Sequence, residues 1–111
     1  MATLAAAVVE EFDSIVREND SRAKVLERII AQLESFPPDD DRDAFVSVFK
    51  DAKAVLELGD LELANALRVS RPTIGRWERG ESAPHPLARR PVFMTLARIA
   101  RAKLRANQSA N

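Results

Sequence analysis

No cysteine and no tyrosine occur in this chain, glycine appears three times and histidine once. Without cysteine there is neither a disulfide nor a thiolate zinc centre, and the usage fits a reducing cytoplasm, where the protein is expected to reside. The single histidine, His85, lies between Pro84 and Pro86 with no second imidazole or thiol to share an ion, so no metal and no cofactor are expected. Ser14, Ser21, Ser47 and Ser82 have no base patterned around them, and no acyl-transfer triad can be assembled; an enzyme is not expected. The acidic cluster at Asp39 to Asp43 lacks the glycine and terminal glutamate of a calcium loop and reads as a helix start. No apolar run approaches the ~20 residues that span a bilayer, so no membrane partner is expected. Leu4 to Val9 is apolar, but no positive charge precedes it and Glu10, Glu11 and Asp13 follow at once, which is not the pattern of a secretory signal. Sustained apolar/polar alternation is missing too, and no strand is predicted.

What is present is charge, in equal total amounts and unequal places. Residues 1–60 hold 7 Lys and Arg against 14 Asp and Glu, whereas residues 61–111 hold 10 against 3. The net charge of zero therefore conceals an acidic first half and a basic second half, a polarity that points the second half at a polyanion. Nine of its ten cations are arginine, the side chain suited to bidentate contact with phosphate and with guanine.

Apolar residues recur at three- and four-residue steps in several blocks, so the fold class is all-α: a compact helical bundle with an N-terminal two-helix extension. The first helix is predicted from about Thr3 to Arg17, with Ala5, Val8, Val9, Phe12, Ile15 and Val16 on one face. Asn19, Asp20 and Ser21 punctuate the chain and cap a second helix, about Arg22 to Ser35, striped by Val25, Leu26, Ile29, Ile30 and Leu33. Pro37 and Pro38 stop it, because proline lacks the amide donor and restricts the residue before it. A third helix, Arg42 to Leu58, is closed by Gly59, the residue that most readily adopts a left-handed cap. Two short helices follow, Asp60 to Leu67 and Arg71 to Arg79. A last helix begins at Leu87 or at Pro91 and runs to Ala106. These blocks divide into an extension over residues 1–38, a domain over 39–106 and a frayed tail over 107–111.

The stretch from Leu58 to Gly80, LGDLELANALRVSRPTIGRWERG, carries the functional information. It places two short helices around a tight turn. Leu63, Ala64 and Leu67 face inward, and Ala64 is small enough to let the second helix approach. Val69 plugs the turn, Ser70 caps the second helix, and Pro72 is tolerated in a first turn that needs no donor there. Ile74 and Trp77 point back to the core; Trp77 as a base-stacking platform is the weaker alternative. Arg71, Pro72, Thr73, Gly75, Arg76 and Arg79 are left on outward or end positions. A helix face of small residues and arginine fits the major groove.

This stretch resembles the lambda-repressor-like (Xre/Cro-type) helix-turn-helix family. The resemblance rests on Leu58, Leu63-Ala64, Leu67, Val69-Ser70, Thr73-Ile74, Arg76-Trp77-Glu78-Arg79-Gly80 and Pro84, and with flanking helices it covers about residues 42–104. It implies a bacterial or phage-type transcription regulator that uses helix 71–79 for recognition. By position, Arg71, Pro72 and Arg76 match the base-reading side chains of the family, while Lys53 and Glu78 match an ion pair tying the domain's first helix to the recognition helix. Two positions depart from the pattern. Arg68 stands where glycine is usual, in a turn that often needs positive φ. Asp60 stands where glutamine often touches a phosphate, and is expected to cap its own helix instead.

Thr73 and Gly75 complete the expected base-reading face. Backbone contacts are expected from Arg68, Ser70, Arg79, Arg89 and Arg90; for Arg79 a helix-dipole role is equally open. Arg98, Arg101 and Arg105 share a solvated face. The expected partners are double-stranded DNA and a second copy of the chain, dimerising through the N-terminal helices. Two alternatives from other classes are an antitoxin, whose N-terminal helices hold a toxin, and a docking module whose acidic half meets a basic protein.

Overall fold

The computed structural model describes residues 2–35 and 41–109, with side chains from residue 17 onward except residue 19. Five α-helices account for it: α1 (Ala2–Ser35), α2 (Arg42–Leu56), α3 (Asp60–Leu67), α4 (Arg71–Glu78) and α5 (Pro86–Ser109). No strand occurs among the described residues. The all-α expectation holds.

The two N-terminal helices are in fact one, α1, 34 residues long. Asn19, Asp20 and Ser21 prefer caps, but each costs a helix interior only a few tenths of a kcal/mol relative to alanine. A break needs a stronger cause, and residues 2–35 contain neither proline nor glycine. The helix therefore continues through Asn19, Asp20 and Ser21 without a break. Pro37 and Pro38 lie outside the described residues.

α2 starts where the acidic signal placed it. Asp41 is its N-cap, with a side-chain oxygen accepting from the Ala44 amide at 2.7 Å. Its end differs from expectation. Glu57, not Gly59, takes the left-handed conformation (φ 54°), and the Leu58 amide donates back to the Lys53 carbonyl at 3.2 Å. This closure swings Leu58 into the core, where it is buried. The hydrophobic contact selects the turning residue over the glycine two places on. Gly59 instead precedes α3 as its N-cap.

α3 closes the same way. Arg68 is left-handed (φ 59°), the Val69 amide donates to the Ala64 carbonyl at 3.0 Å, and Val69 packs against the core. The turn expected of a glycine is thus formed by arginine. Arg68→Gly should raise stability by about 0.5–1 kcal/mol by relieving that conformation. Chemical denaturation checks this; an unchanged or lower midpoint would mean the side chain contributes more than the backbone loses.

α5 begins earlier than expected, at Pro86, with His85 as the residue before it. The His85 Nδ1 accepts from the Leu87 amide at 3.1 Å and its carbonyl accepts from Ala88 at 2.8 Å. Pro86 takes the first-turn place expected for Pro91, and Pro91 lies inside the helix, where one amide rung is missing.

One core joins all five helices. Phe45 stacks on Phe49 (centroids 5.7 Å apart) and on Phe93 (5.0 Å), and Trp77 meets Phe45 and Phe49 edge-on at 5.9 and 5.6 Å. From α1, Leu26, Ile29, Ile30 and Leu33 enter the same cluster. The boundary expected between residues 38 and 39 is therefore no seam in the packing: the second half of α1 is a wall of the domain. Arg22 with Glu57, and Arg101 with Glu34, pin α1 to the end of α2 and to α5.

Candidate nucleic-acid interface

α3, the Arg68–Val69 turn and α4 form a helix-turn-helix whose inner side is set by four residues. Leu63 and Ile74 are fully buried, Ala64 and Trp77 nearly so. The small Ala64 side chain lets the second helix come close, as expected. The start of α4 is fixed by Ser70, whose hydroxyl accepts from the Thr73 amide at 3.3 Å and lies 2.7 Å from the Thr73 hydroxyl. Pro72 sits in the first turn, where a missing amide costs no helical bond.

With that inner face fixed, the outer face follows from the helical period. Asp60, Arg71, Pro72, Gly75, Arg76 and Arg79 line one open depression. The structure brings together most of the expected base readers here. Thr73 is the member it uses differently: its hydroxyl, already with Ser70, accepts from Arg76 Nη2 at 3.1 Å. Thr73 thereby steadies the Arg76 side chain along the face. Gly75 leaves the middle of the face without a side chain.

The carboxylates near this face are engaged. Lys53 Nζ lies 2.9 Å from an Asp60 oxygen and 3.0 Å from a Glu78 oxygen, tying α2, α3 and α4 with one cation. The Asp60 hydrogen bond is the chief reason the Lys53 ammonium is held above its ordinary range, with Glu78 adding and burial opposing. A raised pKa means that this link is intact below the ordinary lysine value of 10.5 and is lost only as pH climbs through the raised one. The expected Lys53–Glu78 pair is thus present. Asp60 is not the cap it was expected to be: Gly59 holds that position without a side-chain bond, and Asp60 turns to Lys53.

Arg79 follows α4 as its C-terminal cap residue, and its guanidinium grips Glu81 at both oxygens, Nε at 2.9 Å and Nη2 at 3.2 Å. Arg79 holds the exposed Glu81 carboxyl below its usual range, so the pair persists above the ordinary 4.5 and dissolves only as pH falls through the lowered value. Glu81 carried no signal in the sequence, because the grip depends on Gly80 turning the chain through φ 74°.

The remaining backbone-contact candidates separate. Arg68 and Arg90 are exposed. Arg89, expected at phosphate, is buried, and its Nε donates to the Pro84 carbonyl at 3.1 Å. It anchors the loop between α4 and α5 and belongs to the scaffold. Among the described residues no group of three or more His, Asp or Glu could hold a metal ion, and no helix is long and apolar enough to cross a membrane.

None of the protein families, curated proteins or solved structures compared with this chain matches it.

Proposed function

We propose that this chain is a sequence-specific DNA-binding transcription regulator that reads the major groove with α4. One observation carries the reading: the helix whose inner side is locked by Ile74 and Trp77 presents Arg71, Pro72, Gly75 and Arg76 together on an open face. Small residues let that face enter a groove, and arginine reads N7 and O6 of guanine there. The likeness to lambda-repressor-like helix-turn-helix domains supports the same assignment residue by residue at Leu63, Ala64, Ser70, Ile74, Trp77 and the Lys53–Glu78 pair. Arg68 and Arg90 supply the sequence-independent hold on phosphate.

Arg76→Ala should weaken binding to the preferred site by about 1–3 kcal/mol and relax base choice at one position of each half-site. Arg90→Ala should weaken all duplexes alike and lower the salt slope by about 1. Footprints and salt titrations of both variants distinguish the roles. Unchanged base preference in Arg76→Ala would strike that residue from the readers.

A single helix-turn-helix reads few base pairs, and we propose that two copies act on a two-fold site with half-sites about 34 Å apart. The support is the length of α1. Thirty-four residues extend ~51 Å, against ~36 Å for the 24 residues of α5. Its pair with Glu57 puts Arg22 opposite the end of α2, so the residues before it run on past that helix. In the sequence of that first half, Ala5, Val8, Phe12 and Ile15 recur at the same three- and four-residue steps as Leu26, Ile29 and Leu33. A second copy is the partner we assign to it.

A further inference from the structure

Arg79 lines the same depression as Arg71 and Arg76, although it lies beyond the end of α4. Its side chain runs back along the helix, as side chains at helix ends tend to do. A Cβ built on Gly75 would lie 2.9 Å from its Nη1. The guanidinium therefore lies across the one position of the face that has no side chain of its own. Glu81 holds the Nε–Nη2 edge of the group. The opposite edge, Nη1 and the second Nη2 hydrogen, makes no hydrogen bond among the described residues, and Arg79 lines the open depression.

That free edge is the one an arginine presents end-on to N7 and O6 of guanine. A phosphate role, one of the two roles expected from the sequence, fits less well, since the Glu81 carboxylate beside it would repel a phosphate oxygen. Base edges are uncharged and suffer much less. A guanidinium already fixed at one edge also loses less freedom on binding than a free arginine.

We propose that Arg79 and Glu81 act as one specificity-determining unit: Arg79 reads a guanine with its free edge, and Glu81 is the positioning residue that holds it over Gly75. This rests on the DNA-binding reading above. It adds a third arginine reader and gives a function to the glycine, which any larger residue would take from Arg79.

The test compares affinities of the full chain for a duplex enriched from a random library and for a scrambled duplex of equal length. Arg79→Ala should lower the ratio of the two roughly ten-fold and erase one guanine from each selected half-site. Glu81→Ala should lower the ratio in the same direction and lose the same guanine, while affinity for scrambled DNA holds or rises as an anionic group is removed. The double variant should be no worse than Arg79→Ala, because the two residues act as a unit. Gly75→Ala should shift the guanidinium aside and lose the same guanine while raising the melting temperature, since alanine favours the helix. If Glu81→Ala strengthens both duplexes by one factor and keeps the guanine, Glu81 is only an electrostatic screen and the proposal is overturned. A wild-type chain that does not distinguish the duplexes refutes the DNA-binding reading itself.

Discussion

Replacing Trp77 by alanine is expected to lower the unfolding free energy by about 3–5 kcal/mol, the range for removing a large buried aromatic. The indole is 6% exposed and stands edge-on to both Phe45 and Phe49, at 5.9 and 5.6 Å. It is where α4 meets α2, and edge-to-face pairs add to the apolar area it buries. Domains of this size have only about 5–15 kcal/mol in hand, so the variant loses a large share of its stability and, at the low end of that range, is partly unfolded at physiological temperature. DNA binding would then disappear through loss of the scaffold. Denaturant midpoints read this directly. A variant of wild-type stability that no longer binds would place Trp77 against the DNA and contradict the packing described above.

Larger still should be the effect of removing α1. Leu26, Ile29, Ile30 and Leu33 are all nine-tenths or more buried in the common core. Each such truncation costs about 2–5 kcal/mol singly, so the four together cost an amount comparable to the whole stability of a domain. A chain starting at Asp41 is therefore expected to be unfolded by circular dichroism, although it contains the whole helix-turn-helix. A chain starting at residue 18 keeps all four residues and the Arg22–Glu57 contact. It should fold, yet sediment as a monomer where the full chain is expected to sediment as a dimer. Cooperative melting of the Asp41 chain would show that α1 is an appendage. Dimerisation of the residue-18 chain as tight as that of the full chain would move the interface elsewhere.

The helix-turn-helix was legible because its signals are local and redundant. Leu63, Ala64, Ile74 and Trp77 fall on the inner side by period alone, and Ser70 and Pro72 mark the start of α4 independently. The outer face then follows without knowledge of any contact. Other features were settled by distant packing. Asn19, Asp20 and Ser21 look like a boundary, but a cap-prone residue begins a helix only where the preceding one has reason to stop. Gly59 is the residue best suited to a left-handed turn, yet burying Leu58 requires that turn at Glu57. Arginine is solvated by default, and nothing local reveals that the Pro84 carbonyl comes within reach of Arg89. The Arg79–Glu81 grip likewise needs the geometry of the Gly80 turn. The contacts that sequence could not supply are those that depend on how the backbone turns elsewhere in the fold.

The most direct measurement is enrichment of bound duplexes from a random library by the full chain, followed by a salt titration on the winner. We expect a recovered motif with two-fold symmetry, guanines in each half-site, half-sites about one helical turn apart and a steep fall of affinity with salt. A recovered pool with no motif above the starting library, or duplex binding insensitive to salt, would contradict the assignment of α4 as a reader of DNA.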